Sequence, residues 1–340
     1  PDRVEQDPFA VSAGVAAAST QAIGQAGCDP GDIVACGLTC QRNSDFVWDA
    51  ETKRPLANAI TWQDLRTADF IQNELPTFPQ FDRLQNRLGY TPAPYMSSLH
   101  VGWRMRQETE VIQAAKEGRL RIGQSALWLI NALGQASGHL MDASLVQSTG
   151  FYDIRQHAYW TEWCDWIGVP QVALPAVAPT VADYGTISVA APNGKTAVVP
   201  VRAMIGDQQA ALFGRNCRQP GDAEATHGTA SYLKIFVGPN APNYAAVDVL
   251  CAWDLGQQQT YCLEASTTVS GAAIRWLRDE LRIFDSFDEI DPLAQTVPDS
   301  GGVIFVPALT GLNFPYFDRK TRGSILGLTL GNNRAHVVLA

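Results

Sequence analysis

The residues with the clearest chemical potential lie in the run Ile205-Gly206-Asp207-Gln208-Gln209-Ala210-Ala211-Leu212-Phe213-Gly214. A β-rich stretch, residues 196–204, feeds a glycine, then Asp-Gln-Gln, then an Ala-Ala-Leu-Phe helix start that stops at a second glycine. Asp207 is therefore expected at the mouth of a strand-to-helix turn, near the positive end of a helix dipole and within reach of backbone N–H groups. The plainest role for an aspartate there is an N-cap. Its company argues for more. Two glutamines follow at once, and Ala225-Thr226-His227-Gly228-Thr229 comes shortly after. That segment reads as a turn whose glycine permits close backbone approach and whose hydroxyl can meet a phosphate. Arg42, in Thr39-Cys40-Gln41-Arg42-Asn43-Ser44, follows the apolar run 33–38. A guanidinium past the C-terminal end of a strand sits where open α/β sheets bind ligands, and it can donate two parallel hydrogen bonds.

The decapeptide and the Thr-His-Gly-Thr turn together resemble the FGGY carbohydrate kinases, and within them the glycerol kinases, which carry a near-identical Gly-Asp-Gln-Gln-Ala-Ala-Leu-Phe-Gly run. The resemblance implies an ATP-dependent, Mg²⁺-using kinase of a small polyol, with glycerol the leading substrate and Asp207 in the position of the general base. It implies substrate contacts from Arg42, Asn43, Trp62, Tyr95, Asp207, Gln208 and Tyr232, and nucleotide contacts from Gly228, Thr229, Gly271 and Arg275. Read without the resemblance, Trp62 and Tyr95 are core aromatics and Arg42 is a surface ion-pair residue. Three positions depart from the glycerol kinase pattern: Asn43 replaces a usual glutamate, Tyr232 a common phenylalanine and Arg275 a frequent glutamine. An amide accepts a hydrogen bond more weakly than a carboxylate but can also donate one. These departures keep open another family substrate, a tetritol or pentulose. A reading from a different class is a non-catalytic relative that binds polyol or nucleotide; the joint presence of Asp207, Gln208, Arg42, Trp62 and Thr229 speaks against it.

The implied fold class is α/β, with two RNase H-like domains of the actin and hexokinase type closing over substrate. The first spans residues 1–215, substrate-binding and nearly complete. The second spans residues 216–340, nucleotide-binding and truncated. The family's first hairpin with its Asp-x-Gly-Thr phosphate loop is not found, so the sequence reads as the middle of a longer kinase and is expected to be inactive alone. The metal ligands and adenine site would lie largely in the absent segments.

The pattern that must position these residues alternates strands and helices. Helices are expected over residues 9–26, 63–75, 97–107, 111–115, 125–133, 159–167 and 271–281. Strands are expected at 33–38 (buried, parallel), 196–204, 231–237, 247–253, 260–264 and 302–309 (buried), with a hairpin pairing 45–49 with 58–62. Trp160, Trp163 and Trp166 recur at three-residue spacing, a packing face rather than a cofactor site. A Pro-Gly turn within residues 216–222 marks the domain boundary.

At 340 residues, 46% of them hydrophobic and 17% charged, the chain has ordinary globular composition and length for two domains. A net charge of −9 disfavours nucleic acid or an anionic membrane surface as partner. No apolar run of about 18 residues and no signal peptide occur, which points to a cytoplasmic enzyme. Seven scattered cysteines without a Cys-x-x-Cys pair fit reduced thiols. FGGY kinases are often dimers, so the resemblance allows a homodimer, though no residue here identifies its contact surface.

Overall fold

The computed structural model describes residues 3–243, 247–316, 318 and 320–340. The chain forms two compact units, one of Pro1–Asp222 with Phe236–Cys262, the other of Ala223–Ile235 with Leu263–Ala340.

The first unit opens on helix α1 (Pro8–Ala26), whose start and stop are both written locally. Asp7 accepts the Phe9 N–H at 2.9 Å, Pro8 takes the first turn, and Gly27 closes the helix in the left-handed region at φ 65°. Its organising sheet contains β1 (Cys36–Cys40), β4 (Val181–Ala190) and β5 (Thr196–Gly206), in the order β1, β5, β4, then Gly134–Ala136. β5 runs parallel to β1, with Gly206 opposite Cys40, and antiparallel to β4. Along β5 Val199 and Val201 are buried while Val198 and Arg202 face out, the alternation of a half-covered strand, and an irregularity between Val201 and Ala203 shifts the register so that Met204 is buried as well. The strand delivers the chain into helix α3 (Asp207–Gly214). A shorter helix, α2 (Ala143–Ser148), is capped by Asp142 through the Leu145 N–H at 3.0 Å.

Several expectations are corrected. The strand expected at 33–38 is Cys36–Cys40, after a 3₁₀ turn at residues 30–32 capped by Asp29, and it alternates between half-buried and exposed positions rather than being buried. The hairpin expected between 45–49 and 58–62 is reduced to single bridges, Asp45 to Ile60 and Trp48 to Pro55. β2 (Phe46–Asp49), buried on both faces, pairs instead with β3 (Leu120–Gly123), and Ala59–Ile60 pairs with Glu5–Gln6. The helix expected over 63–75 is Ala68–Asn73, followed by a 3₁₀ turn that includes Pro76.

The helices Ser97–Gln107 and Ser125–Leu133 match expectation, and the second is buried through Ile130. The tryptophan face packs as expected: Trp160 and Trp163 are buried, and the Phe78 ring lies 5.1–5.4 Å from all three indoles. α3 is anchored by Phe213, edge-on to Trp253 at 5.1 Å, which itself stacks on Phe236 at 4.9 Å.

In the second unit β6 (Ala223–His227) pairs antiparallel with β7 (Ser231–Gly238), placing Thr226 opposite Tyr232. Helix α4 (Gly271–Asp279) packs Leu277 with Phe284, Val303 and Val337. The buried strand expected over 302–309 is only Ile304–Val306, paired with Ser324–Leu326, and Ile304 is exposed.

Candidate functional site

The first unit's site is built where β1 and β5 end side by side. Gly206 occupies the N-cap position of α3 and Asp207 the first helical position, so Asp207 is not the N-cap. Its Oδ1 accepts the Gln208 N–H at 2.7 Å, and the side chain is partly exposed. Arg42 comes off the neighbouring strand, and its aliphatic stem runs over Gly206. A Cβ placed on that glycine would lie 3.3 Å from Arg42 Cγ and 3.4 Å from Cδ. The guanidinium and the carboxylate thus emerge from adjacent strand ends. Cys40, opposite Gly206, registers the same neighbourhood: burial pushes its thiol up to about 11, with the Asp207 and Asp142 charges adding to that shift.

Tyr95 and Arg42 also share a neighbour. The buried Tyr90 hydroxyl is raised well above its usual pKa by burial first, with Tyr95 and Asp248 adding and Arg42 opposing. Asn43 follows Arg42 in the left-handed region at φ 55°, and its Oδ1 is buried without a hydrogen-bond partner. The Asp45–Ile60 bridge carries Asn43 and Trp62 outward, each two residues beyond it on opposite strands. Trp62 is 42% exposed while Thr61 and Asp64 on its flanks are fully buried, so it is not the core aromatic its type suggests. The structure therefore brings Arg42, Asp207 and Gln208 to one pair of strand ends, with Asn43 next to Arg42 in the chain and Trp62 presented from the adjoining segment; Tyr95 is linked to them only through Tyr90, whose hydroxyl feels both Tyr95 and Arg42.

Three supporting residues were not singled out from sequence. Gln209, 1% exposed, donates from Nε2 to the Cys251 carbonyl at 3.1 Å, while its Oε1 is buried without a partner. Asp142 and Ser144 reach the site through a hydrogen bond from the Gly206 N–H to Ser144 Oγ, 2.9 Å. In sequence, Asp142-Ala-Ser reads only as a helix cap, so nothing local signals its reach to Gly206.

In the second unit the Gly228-Thr229 turn is clamped to the start of α4. The Gly271 N–H donates to the Gly228 carbonyl at 2.9 Å, and the Ser270 and Ala272 N–H groups donate to the Thr229 carbonyl at 2.9 and 3.2 Å. A Cβ on Gly271 would stand 2.6 Å from the Gly228 oxygen, which is why this position must be glycine. The leading N–H groups of α4 are thus occupied by carbonyls, and Thr229 is left exposed. His227 Nδ1, Ser231 Oγ and Ser270 Oγ form a hydrogen-bonded row at 2.8 and 2.6 Å beneath the turn. Arg275 lies one turn along α4, exposed, with its charge helping hold the Asp279 carboxyl down behind the larger effect of Arg278.

The match to known proteins covers the same ground. Residues 1–214 match the FGGY family of carbohydrate kinases, N-terminal domain, and residues 223–340 match the C-terminal domain. The chain belongs to the FGGY family of carbohydrate kinases. The kinase is 39% identical to glycerol kinase of Symbiobacterium thermophilum, an alignment covering 100% of this chain and 68% of the relative. It is 35% identical to glycerol kinase 2 of Sulfolobus acidocaldarius, over 100% of this chain and 67% of the relative. Its fold superimposes on the Plasmodium falciparum glycerol kinase solved with ADP, with TM-score 0.89 and 26% identity over 99% of this chain and 67% of that one. A xylulose kinase from Lactobacillus acidophilus shares the fold alone, with TM-score 0.83 and 20% identity over 99% and 66% of the two chains. The architecture is the mixed α/β two-domain fold of the family, and the chemistry is phosphotransfer to a polyol or sugar. Among the described residues no helix is long and apolar enough to cross a membrane.

Proposed function

We propose that this kinase phosphorylates glycerol to glycerol 3-phosphate at the expense of ATP, with Asp207 as general base. The observation that carries the reading is the convergence of Asp207 and Arg42 on adjacent strand ends, in a chain 39% identical to a glycerol kinase. Phosphoryl transfer asks the protein mainly to align a hydroxyl and to stabilise developing charge. Asp207 accepts the proton of the attacking hydroxyl as the bond to phosphorus forms. Arg42, Asn43, Tyr95 and Gln208 hydrogen-bond the polyol, Trp62 covers its C–H face, and Tyr232 is a further substrate contact. Gly228, Thr229, Gly271 and Arg275 serve the nucleotide. Residues 1–215 then form the substrate domain and 216–340 the nucleotide domain. The second unit's geometry favours the Thr229 hydroxyl, rather than the α4 backbone, as the phosphate contact.

Mg²⁺ would need carboxylate oxygens, and Asp207, partly exposed at its turn, is the residue here that could offer one. When bound, the ion would neutralise charge on the transferring phosphate. The enzyme is read as cytoplasmic and homodimeric.

Asn43 supports a second reading, a tetritol or pentulose in place of glycerol. Its buried, unpartnered Oδ1 calls for a donor, which the extra hydroxyl of a longer polyol supplies. Coupled-assay turnover by the enzyme of full natural length, with glycerol, erythritol and xylulose, separates the two. Asp207→Asn should cut kcat about 100-fold or more while polyol still binds. Normal turnover in that variant would end the proposal.

A further inference from the structure

Asp142 is fully buried and stands between two hydroxyls. Its Oδ1 accepts from Ser144 Oγ at 2.8 Å and from the Leu145 N–H at 3.0 Å, and its Oδ2 accepts from Thr180 Oγ1 at 3.0 Å. Each hydroxyl, having donated to the carboxylate, accepts a backbone N–H in turn. Ser144 Oγ takes that of Gly206 at 2.9 Å, and Thr180 Oγ1 takes that of Asp254 at 3.0 Å. The two arms match in chemistry and length, but only one reaches the residue before Asp207. A carboxylate acceptor fixes which way each hydroxyl points, and so fixes its lone pairs on the waiting N–H.

We propose that Asp142 and Ser144 are positioning residues for the reaction: they clamp the Gly206 amide and thereby set where the Asp207 carboxylate stands. The inference rests on the reading of Asp207 as the base. A carboxylate displaced by about 1 Å from the attacking hydroxyl loses up to about 100-fold in rate. Thr180 provides the matched control, since its loss removes an equally buried hydroxyl from the same carboxylate without touching Gly206.

The test uses the enzyme of full natural length, with Ser144→Ala, Thr180→Ala and Asp207→Asn assayed together and rates normalised to folded protein. Ser144→Ala should lower kcat by about 10- to 100-fold with the KM for ATP within about 3-fold of the parent. Thr180→Ala should lower thermal stability comparably yet keep kcat within about 3-fold. If Ser144→Ala keeps its kcat, or Thr180→Ala loses as much, the clamp is only structural and the inference is overturned. If Ser144→Ala does not fold, Asp142→Asn, of the same shape, is read by the same split between kcat and KM. Full activity in Asp207→Asn would overturn the base assignment itself; an inactive Asp207→Asn beside a fully active Ser144→Ala would overturn the clamp alone.

Discussion

Gly206 is the position at which a single methyl group should report on the whole site. Its backbone, φ −66° and ψ 146°, is open to any residue, so Gly206→Ala carries no conformational penalty. The obstacle is space. The added Cβ would lie 2.7 Å from Gln209 Oε1 and 3.3–3.4 Å from the Arg42 stem. Gln209 cannot swing aside cheaply, being 1% exposed and tied by Nε2 to the Cys251 carbonyl. Overpacking of this kind costs about 1–3 kcal/mol, and loss of the Gln209 hydrogen bond adds about 1 kcal/mol. The alanine returns about 0.4–1 kcal/mol by restricting the unfolded chain. The net loss of about 1–3 kcal/mol corresponds to a fall in Tm of roughly 2–10 °C. On the proposed role of Arg42 in holding glycerol, relief by moving Arg42 would weaken a charged hydrogen bond to it, so the Kd for glycerol should rise about 10-fold. Gly214→Ala is the control, because a Cβ there meets nothing within 4 Å and should be neutral or slightly stabilising. Thermal unfolding and calorimetric glycerol titration read both variants. Gly206→Ala melting at the parental temperature with unchanged glycerol affinity would refute the packing argument.

Three further outcomes follow from the same structure. Trp62→Ala should cost about 2–3 kcal/mol, less than the truncation of a fully buried tryptophan because the indole is 42% exposed, and, on its proposed role over the polyol, should weaken polyol binding about 10-fold in titration. Asp45 is fully buried against His100 Nδ1 at 3.0 Å and Arg104 Nε at 3.1 Å, while Glu108 also pairs Arg104 at 2.8 Å, so Asp45→Ala leaves two buried donors without an acceptor but the guanidinium still paired, and should cost about 1–3 kcal/mol in denaturant unfolding. Burial pushes the Asp142 carboxyl up to about 6 from 3.8, against the opposing hydrogen bonds from Leu145, Ser144 and Thr180. The folded state therefore holds that proton more tightly than the unfolded chain. Its stabilising contribution is full below about pH 4 and lost as pH rises through about 6. Relative to Asp142→Asn, the parent should gain about 2 kcal/mol on going from pH 7.5 to pH 4, and parallel stability curves would contradict this. The titratable neighbours Cys40, Cys251 and Tyr184 are all raised by burial and stay neutral throughout that range.

What could be read from the sequence was what is written locally. α1 carries Asp7, Pro8 and Gly27 at its ends, and α3 starts at Asp207 because a glycine and then good helix formers follow β5. The Asp207 turn and the Gly228 turn were legible for the same reason. The hairpin expected around residues 45–62 was not, because β2 finds its partner in β3, some seventy residues on, and two apolar runs near each other in sequence mimic a hairpin. The exposure of Trp62 was equally hidden: indole chemistry predicts burial, and only the anchoring of Thr61 and Asp64 on either side forces the ring outward. Asp142 and Ser144 look like an ordinary cap, and their reach to Gly206 depends on a sheet order no local pattern encodes.

The two units settle their turns in one physical manner. Before Asp207, the Gly206 N–H, a donor with a hydrogen-bonding need but no sequence information, is captured by the Ser144 hydroxyl. At the start of α4, the N–H groups of Ser270, Gly271 and Ala272 are captured by the carbonyls of Gly228 and Thr229. In each case backbone donors that could have bound an anion are spent on rigidity. What remains turned outward is a side chain, the Asp207 carboxylate in one unit and the Thr229 hydroxyl in the other. A backbone anion hole tolerates many side chains around it, but a turn whose amides are already occupied does not. Substitution at Asp207 or Thr229 should therefore be felt in turnover far more than in stability, whereas substitution at Ser144 should be felt in both.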